Sequence, residues 1–328
     1  MISLDDIQDA KRRINGHVWR TPLAISPSLS EICGASVSLK LENQQTTGSF
    51  KLRGATNAIL SLNAAARKKG VAAASTGNHG RALAHAARAV GSRATICMSK
   101  LVPGNKVFEV HRLGADVRII GSSQDDAQKE VERLAEEERF TILPPFDSPQ
   151  IVAGQATIGI EILEDMPDVN TVLVPLSGGG LAAGVAAAIK SKHPHCKVIG
   201  VSMRRGAAMK ASLDAGRPVE VEEFPSLADS LGGGIGLDNQ FTFAMCRDLL
   251  DDIVLLSEAE IAAGILHAYE KEREIVEGAG AVGIAALLSE KIIRPAGPLV
   301  VVLSGRNVDM NLHRRVVSGE IDPFGGDK

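Results

Sequence analysis

The stretch TVLVPLSGGGLAAG, residues 171–184, decides the fold class. Six residues, five of them apolar and three β-branched, run into Ser177, Gly178, Gly179 and Gly180, and an alanine-rich run begins at Leu181. An apolar strand that turns through glycines into a helix is one βα unit of a parallel sheet. The same grammar repeats along the chain. VSLKLE (37–42), VAAAS (71–75), ATICM (94–98), DVRII (116–120), KVIGVS (197–202) and LVVVLS (299–304) read as strands. Helical patterns cover 78–90, 105–113, 124–138, 181–192 and 258–272. Strands this uniformly apolar are buried on both faces. The expectation is an α/β protein with open, mostly parallel sheets and helices on both faces. FDSPQ (146–150) reads as a crossing between two α/β units. It divides the chain into a small, mobile domain, 55–148, and a larger discontinuous one, 1–54 with 149–328.

Composition removes several classes of function. The 328 residues are 45% hydrophobic and 23% charged, a soluble globular mix. A net charge of −3 and 3% aromatics offer neither a basic footprint nor stacking platforms for nucleic acid. Cys33, Cys97, Cys196 and Cys246 lie far apart without CxxC spacing, which argues against a zinc site or a disulfide framework. The opening SLDDIQDAKRR is helical and charged, unlike a signal sequence. No apolar run approaches the roughly 20 residues of a membrane span. A cytoplasmic protein without metal, nucleic-acid or membrane partners is expected.

Ligands of such sheets sit beyond the carboxyl ends of the strands. Four turns compete there: SFKLRGA (49–55), STGNHG (75–80), LSGGGL (176–181) and LSGRN (303–307). The glycines of LSGGGL can aim several backbone N–H groups at one point before a helix, making a phosphate cradle. That cradle suits a dinucleotide, with Ser202, Arg204 and Arg205 near a 2′-phosphate, or a single phosphate monoester. It also suits a close strand-to-helix turn with no ligand. Lys51 poses a different question, because an ammonium at a helix N-terminus opposes the helix dipole. Dipole and burial together favour the neutral amine, which can condense with an aldehyde.

The strings SFKLRGA, STGNHG, LSGGGL and LSGRN, in this order, resemble the fold-type II pyridoxal-phosphate enzymes (tryptophan synthase β-like). Within them the chain resembles the serine/threonine dehydratase and serine racemase family. The resemblance runs from TPL (21–23) through LENQQ to EGAGA (277–281) and LSGRN. It implies pyridoxal 5′-phosphate, joined to Lys51 as a Schiff base. By the same resemblance Gly178, Gly179, Gly180 and Leu181 hold the phosphate through backbone N–H groups, and Asn78 binds the ring oxygen. Phe50 packs on the ring, Ser304 faces the pyridine nitrogen, and Glu277 stands at a further cofactor position. Ser75, Thr76, Gly77 and His79 receive the substrate, with Asp229 at an acidic position nearby. Lys51, Thr76 and Ser75 are the catalytic candidates.

The implied reaction is elimination of the β-hydroxyl of a hydroxy amino acid, an ammonia-lyase of the threonine dehydratase kind. Racemisation or β-replacement on the same fold is the alternative, and an inactive PLP- or solute-binding protein the third reading. Threonine at position 76, where racemising relatives carry serine, adds a methyl and stiffens the side chain. Relatives often bind a divalent cation after the VIGV strand. Here Ser202 and Ala208 stand at the two acidic positions, so no metal is expected. Arg204 or Arg205 is expected to supply fixed positive charge in its place. The wording of LENQQTTGSFKLRGA, STGNHGRA and SGRNVDMNLHRRVVSGE is similar to the hydroxyectoine-utilization dehydratases. The resemblance also implies a homo-oligomer, a dimer first.

Overall fold

The computed structural model describes residues 1–75, 77–102, 104–292 and 297–319, with only the backbone at 105, 124 and 125. Ten strands are β1 (Leu23–Ile25), β2 (Val37–Lys40), β3 (Val71–Ala74), β4 (Ala94–Met98), β5 (Asp116–Ile119), β6 (Thr141–Ile142), β7 (Thr171–Pro175), β8 (Lys197–Met203), β9 (Asp252–Leu256) and β10 (Leu299–Val302). They form a six-stranded sheet ordered β1-β2-β10-β7-β8-β9 and a four-stranded sheet ordered β5-β4-β3-β6. Every pairing is parallel except the edge pair β1–β2. Strand β10 lies between β2 and β7, with Leu299 opposite both Val37 and Thr171. All residues of β2, β4, β7 and β10 are buried, as helices on both faces require.

The seven strands read from the sequence are present, and β1, β6 and β9 are additional. The helices are Asn78–Ala89, Gly104–Arg112, Gln124–Glu138 and Gly180–Lys190, close to the expected spans. The fifth splits: Glu258–His267 is α-helical, and Ala268–Glu272 widens into one π-turn. Arg273, in the left-handed conformation, ends it.

The helix Lys51–Ser61 begins at the lysine in question. It crosses the helix Pro149–Asp165 at Gly54 and Gly154, where a Cβ on Gly154 would lie 2.6 Å from the Gly54 Cα. Next to Gly54, Arg53 is wholly buried. Its Nε and Nη2 donate to Glu42 at 2.9 and 2.8 Å, and its Nη1 and Nη2 donate to Glu161 at 2.7 and 2.8 Å. Buried Lys40 Nζ donates to Glu161 at 2.6 Å and to the Thr21 carbonyl at 2.7 Å. Two cations and two carboxylates thus neutralise one another inside the protein. Such a group is costly to break, because any survivor is left as an uncompensated buried charge. The quartet fixes the lysine-bearing helix to β2 and to the helix Pro149–Asp165.

Candidate active site

A cavity of about 720 Å³ opens where Lys51, the turn before the helix Asn78–Ala89, and the turns after β7 and β10 converge. The topology dictates this place, because all four turns leave carboxyl ends of strands or precede helices. Phe50, Lys51, Ser75, Gly77, Asn78, His79, Gly178, Gly179, Gly180, Leu181, Asp229, Glu277 and Ser304 all line it. Thr76 lies outside the described residues.

Lys51 Nζ sits 5.3 Å from the centre of the Phe50 ring and donates to the Pro145 carbonyl at 2.6 Å. Burial pulls its pKa down to about 8, and the negative charge of Glu277 holds it from falling further. About one amine in ten is therefore neutral at pH 7, since each pH unit is a factor of ten. A half-buried, partly neutral amine at the wall of a cavity is a nucleophile toward an aldehyde.

The glycine turn faces it. Gly179 has φ +88°, and no side chain caps the helix Gly180–Lys190. Its first N–H groups are left to an anion. The turn has no room for side chains: a Cβ on Gly178 would lie 2.4 Å from Phe146 Cδ1, and one on Gly179 would lie 2.9 Å from Cys246 Sγ. Phe146 belongs to the crossing segment, whose next residue, Asp147, accepts from the backbone N–H of Gln240, Phe241 and Thr242 at 2.7, 3.0 and 2.9 Å. Leu181 is buried behind the turn.

Asn78 and Glu277, in the same cavity wall, belong to a chain of polar contacts. Asn78 Nδ2 donates to Glu277 Oε1 at 2.7 Å, and Asn78 Oδ1 accepts from Asn307 Nδ2 at 2.5 Å. Asn307 also donates to the Thr47 carbonyl at 2.9 Å, and its Oδ1 accepts from Arg81 Nη1 at 3.1 Å. The Asn78 amide plane is held from both ends, and one of its two amide hydrogens remains for a ligand. Glu277 is almost fully buried, so burial, reinforced by the charge of Asp229, lifts its pKa to about 7. The Ser304 hydroxyl, also buried, is 3.4 Å from the Ala279 carbonyl.

On the substrate side, Ser75 Oγ accepts from the Gly80 N–H at 3.1 Å, and Gly77 stands at the N-cap of the helix Asn78–Ala89. The His79 side chain points elsewhere: it is buried, its Nε2 is 2.9 Å from the Leu143 carbonyl, and its pKa is down to about 4 through burial and the Lys51 charge. Asp229 is at the rim, 3.4 Å from Lys106 Nζ on the opposite wall. The residues not singled out in the sequence are Pro145, Phe146, Asp147, Asn307, Arg81 and Lys106. Asn307 closes LSGRN, the motif read only through Ser304, and Phe146 and Asp147 lie in the stretch read as a crossing.

Residues 14–305 match the family described as pyridoxal-phosphate dependent enzyme. The chain belongs to that family. Its relatives include a Sinorhizobium fredii protein provisionally named a threonine dehydratase, 67% identical over 98% of this chain and 96% of the relative. An L-threonine ammonia-lyase of Thermotoga maritima is 43% identical over 97% of this chain and 79% of its own length. Among solved structures, maize serine racemase superposes with a TM-score of 0.91 at 31% identity, covering 97% of each chain. Pyridoxal 5′-phosphate is the cofactor of this pyridoxal-phosphate enzyme, and the described residues suit it. A neutralisable amine faces the cavity opposite an uncapped helix start with no space for side chains. A clamped amide lies in the same cavity wall.

Ser202 and Ala208, which the resemblance set at two otherwise acidic positions, are buried. Arg204 reaches Glu260 at 4.0 Å, and the Arg205 guanidinium lies 4.2 Å over the Phe224 ring. Among the described residues no three His, Cys, Asp or Glu side chains gather as metal ligands.

Proposed function

We propose that this enzyme is a lyase that removes the β-hydroxyl of a hydroxy amino acid, with L-threonine and L-serine the first substrates to try. The products are a 2-oxo acid and ammonia. One observation carries the reading: a half-buried Lys51 amine of lowered pKa shares a cavity with a glycine turn at an uncapped helix start. When bound, pyridoxal 5′-phosphate supplies an electron sink for the α-carbon. In the proposal Gly178, Gly179, Gly180 and Leu181 hold its phosphate, Asn78 its ring oxygen, and Phe50 packs on the ring. Ser304 offers a neutral hydroxyl to the ring nitrogen.

Lys51 Nζ, once released, takes the α-proton, and its pKa near neutrality suits both halves of that exchange. Ser75, Thr76 and Gly77 bind the substrate carboxylate at the helix start, where backbone N–H groups converge. Glu277 holds Asn78 and keeps negative charge near the lysine. Asp229 and Lys106 close the rim. Relatives named L-threonine ammonia-lyase support elimination, whereas the fit to serine racemase keeps racemisation as the second reading. The motif wording supports a role in hydroxyectoine breakdown, on an open-chain β-hydroxy-α-amino acid; preference for L-threonine over every such compound would remove that assignment.

The test is direct. Protein incubated with pyridoxal 5′-phosphate and reduced with borohydride carries the added mass on Lys51. Turnover with L-threonine yields 2-oxo acid and ammonia. An adduct on another lysine, or undiminished turnover in Lys51→Ala, overturns the proposal, and accumulation of D-isomer without oxo acid favours the racemase.

Three coarser assignments complete it. The four-stranded sheet lies wholly within 55–148 and the six-stranded sheet outside it, which supports a mobile domain of those limits; a crystal structure with substrate analogue in which the two sheets keep their relative placement overturns it. No helix among the described residues is long and apolar enough to cross a membrane, and the proposed setting is the cytoplasm; secretion into the medium or periplasm, followed by fractionation, would contradict it. Exposed Trp19, ahead of the edge strand β1, and exposed Ile25, at its end, support a dimer, which light scattering checks and a monomer would refute.

A further inference from the structure

His79 lies beside Lys51 in the same cavity wall but does not touch it; the two meet through a short piece of backbone. A carbonyl oxygen only accepts, so the 2.9 Å contact with Leu143 requires the hydrogen on His79 Nε2. His79 Nδ1 is buried without a partner, consistent with a bare lone pair and a neutral ring. Leu143 is itself fixed, its N–H donating to the Ala72 carbonyl of β3 at 3.1 Å. Two prolines follow. Pro144 and Pro145 have fixed φ and no N–H, so the chain between Leu143 and the Pro145 carbonyl has little freedom. That carbonyl accepts from Lys51 Nζ at 2.6 Å. The next two residues grip the opposite side of the site: Phe146 packs under Gly178, and Asp147 caps the helix Thr242–Leu249. Residues 143–147 therefore form a strap from the lysine to the cradle, and His79 holds its first carbonyl.

We propose that His79 is a positioning residue for the Lys51 amine, acting through the Leu143 carbonyl and the rigid Pro144–Pro145 link that places the Pro145 carbonyl against Nζ. The inference rests on Lys51 being the lysine that captures the cofactor. Its consequence is selective: loss of the Nε2–H lets the strap drift and misplaces the amine, while the glycine turn stays as built. Misplacement of a reacting group by about 1 Å costs up to roughly 100-fold in rate.

The experiment compares ligand-free wild type, His79→Leu and His79→Gln. The Gln amide nitrogen falls near the place of Nε2 and keeps a donor for Leu143. Condensation with pyridoxal 5′-phosphate, followed by its visible band, is expected to slow about 10- to 100-fold in His79→Leu and to recover within about 3-fold of wild type in His79→Gln. Affinity for pyridoxamine 5′-phosphate, which reads the cradle without needing the lysine, is expected to stay the same in all three. Equal condensation rates in the three proteins overturn the proposal. So does a parallel loss of pyridoxamine phosphate affinity, which marks His79 as general support for the pocket. If His79→Leu does not fold, His79→Asn serves, since its shorter amide cannot reach Leu143; a rate equal to that of His79→Gln overturns the proposal. A wild type that fails to condense refutes the function itself, an outcome distinct from all of these.

Discussion

Replacing Glu277 by glutamine isolates the electrostatics of the site from its shape. In the unfolded chain this carboxyl releases its proton near 4.5, and in the fold, chiefly through burial, near about 7. Between those values the folded state binds the extra proton, so stability falls as pH rises. The contribution is fully present below 4.5 and gone above about 7. With 1.36 kcal/mol per unit, the loss across the window is roughly 3 kcal/mol. Glutamine has no proton to lose, and its amide oxygen still accepts from Asn78. The measurement is urea unfolding of ligand-free wild type and Glu277→Gln between about pH 5 and 8, read as the difference between the two proteins.

Taking the difference removes His79, whose depressed pKa of about 4 works in the opposite direction and is common to both. The variant should gain on wild type by roughly 3 kcal/mol as pH rises through the window. Lys51 adds to the same trend, because removal of the Glu277 charge lowers its pKa below about 8. Parallel pH–stability curves for the two proteins would refute the reasoning, since they require Glu277 to titrate alike folded and unfolded.

Three further outcomes are expected. Gly178→Ala places a methyl 2.4 Å from Phe146 Cδ1; it should cost about 1–3 kcal/mol of stability and weaken pyridoxal phosphate binding in equilibrium dialysis, and Phe146→Ala in the same chain should recover both. Arg53→Met leaves Glu42 and Glu161 facing Lys40 alone, and a loss of about 3–5 kcal/mol in chemical unfolding is expected; a loss below 1 kcal/mol would mean that water already screens the quartet. Exhaustive treatment with a chelator should leave turnover unchanged, given the uncharged Ser202 and Ala208 where the resemblance implied acids; activity lost and then restored by Mg²⁺ would contradict this.

Much of the fold was legible because local and long-range signals agree in a parallel sheet. A buried strand is mostly apolar and a turn into a helix is short, so TVLVPL and LVVVLS announce themselves. β1 and β6, three and two residues long, are too brief to carry a pattern. β9 had the signal, DIVLL ahead of the capping Ser257, and went unread. Site residues that act through their own backbone or chemistry, Lys51 and Gly178 to Gly180, could be read from their turns. Those that act by reaching across the fold could not. Asn307 meets Asn78 across 229 positions of chain, and Arg53 meets Glu161 across 108. Nothing in the local sequence pairs Arg53 and Lys40 with Glu42 and Glu161; only the fold brings the opposite charges together. His79 shows the converse: its motif suggested ligand contact, and its ring instead turns inward to backbone.

The strand order has a consequence for how the polypeptide is made. β10, nearly the last strand to leave the ribosome, lies between β2 and β7. Until residue 302 emerges, those two apolar strands present unpaired edges to the cell, and the cradle turn after β7 has no neighbour on one side. β3 to β6 span residues 71–142 without interruption and can pair while synthesis continues. A nascent chain stalled between the two points would hold one finished sheet and one open seam, and that seam is where a chaperone or a second nascent copy would attach.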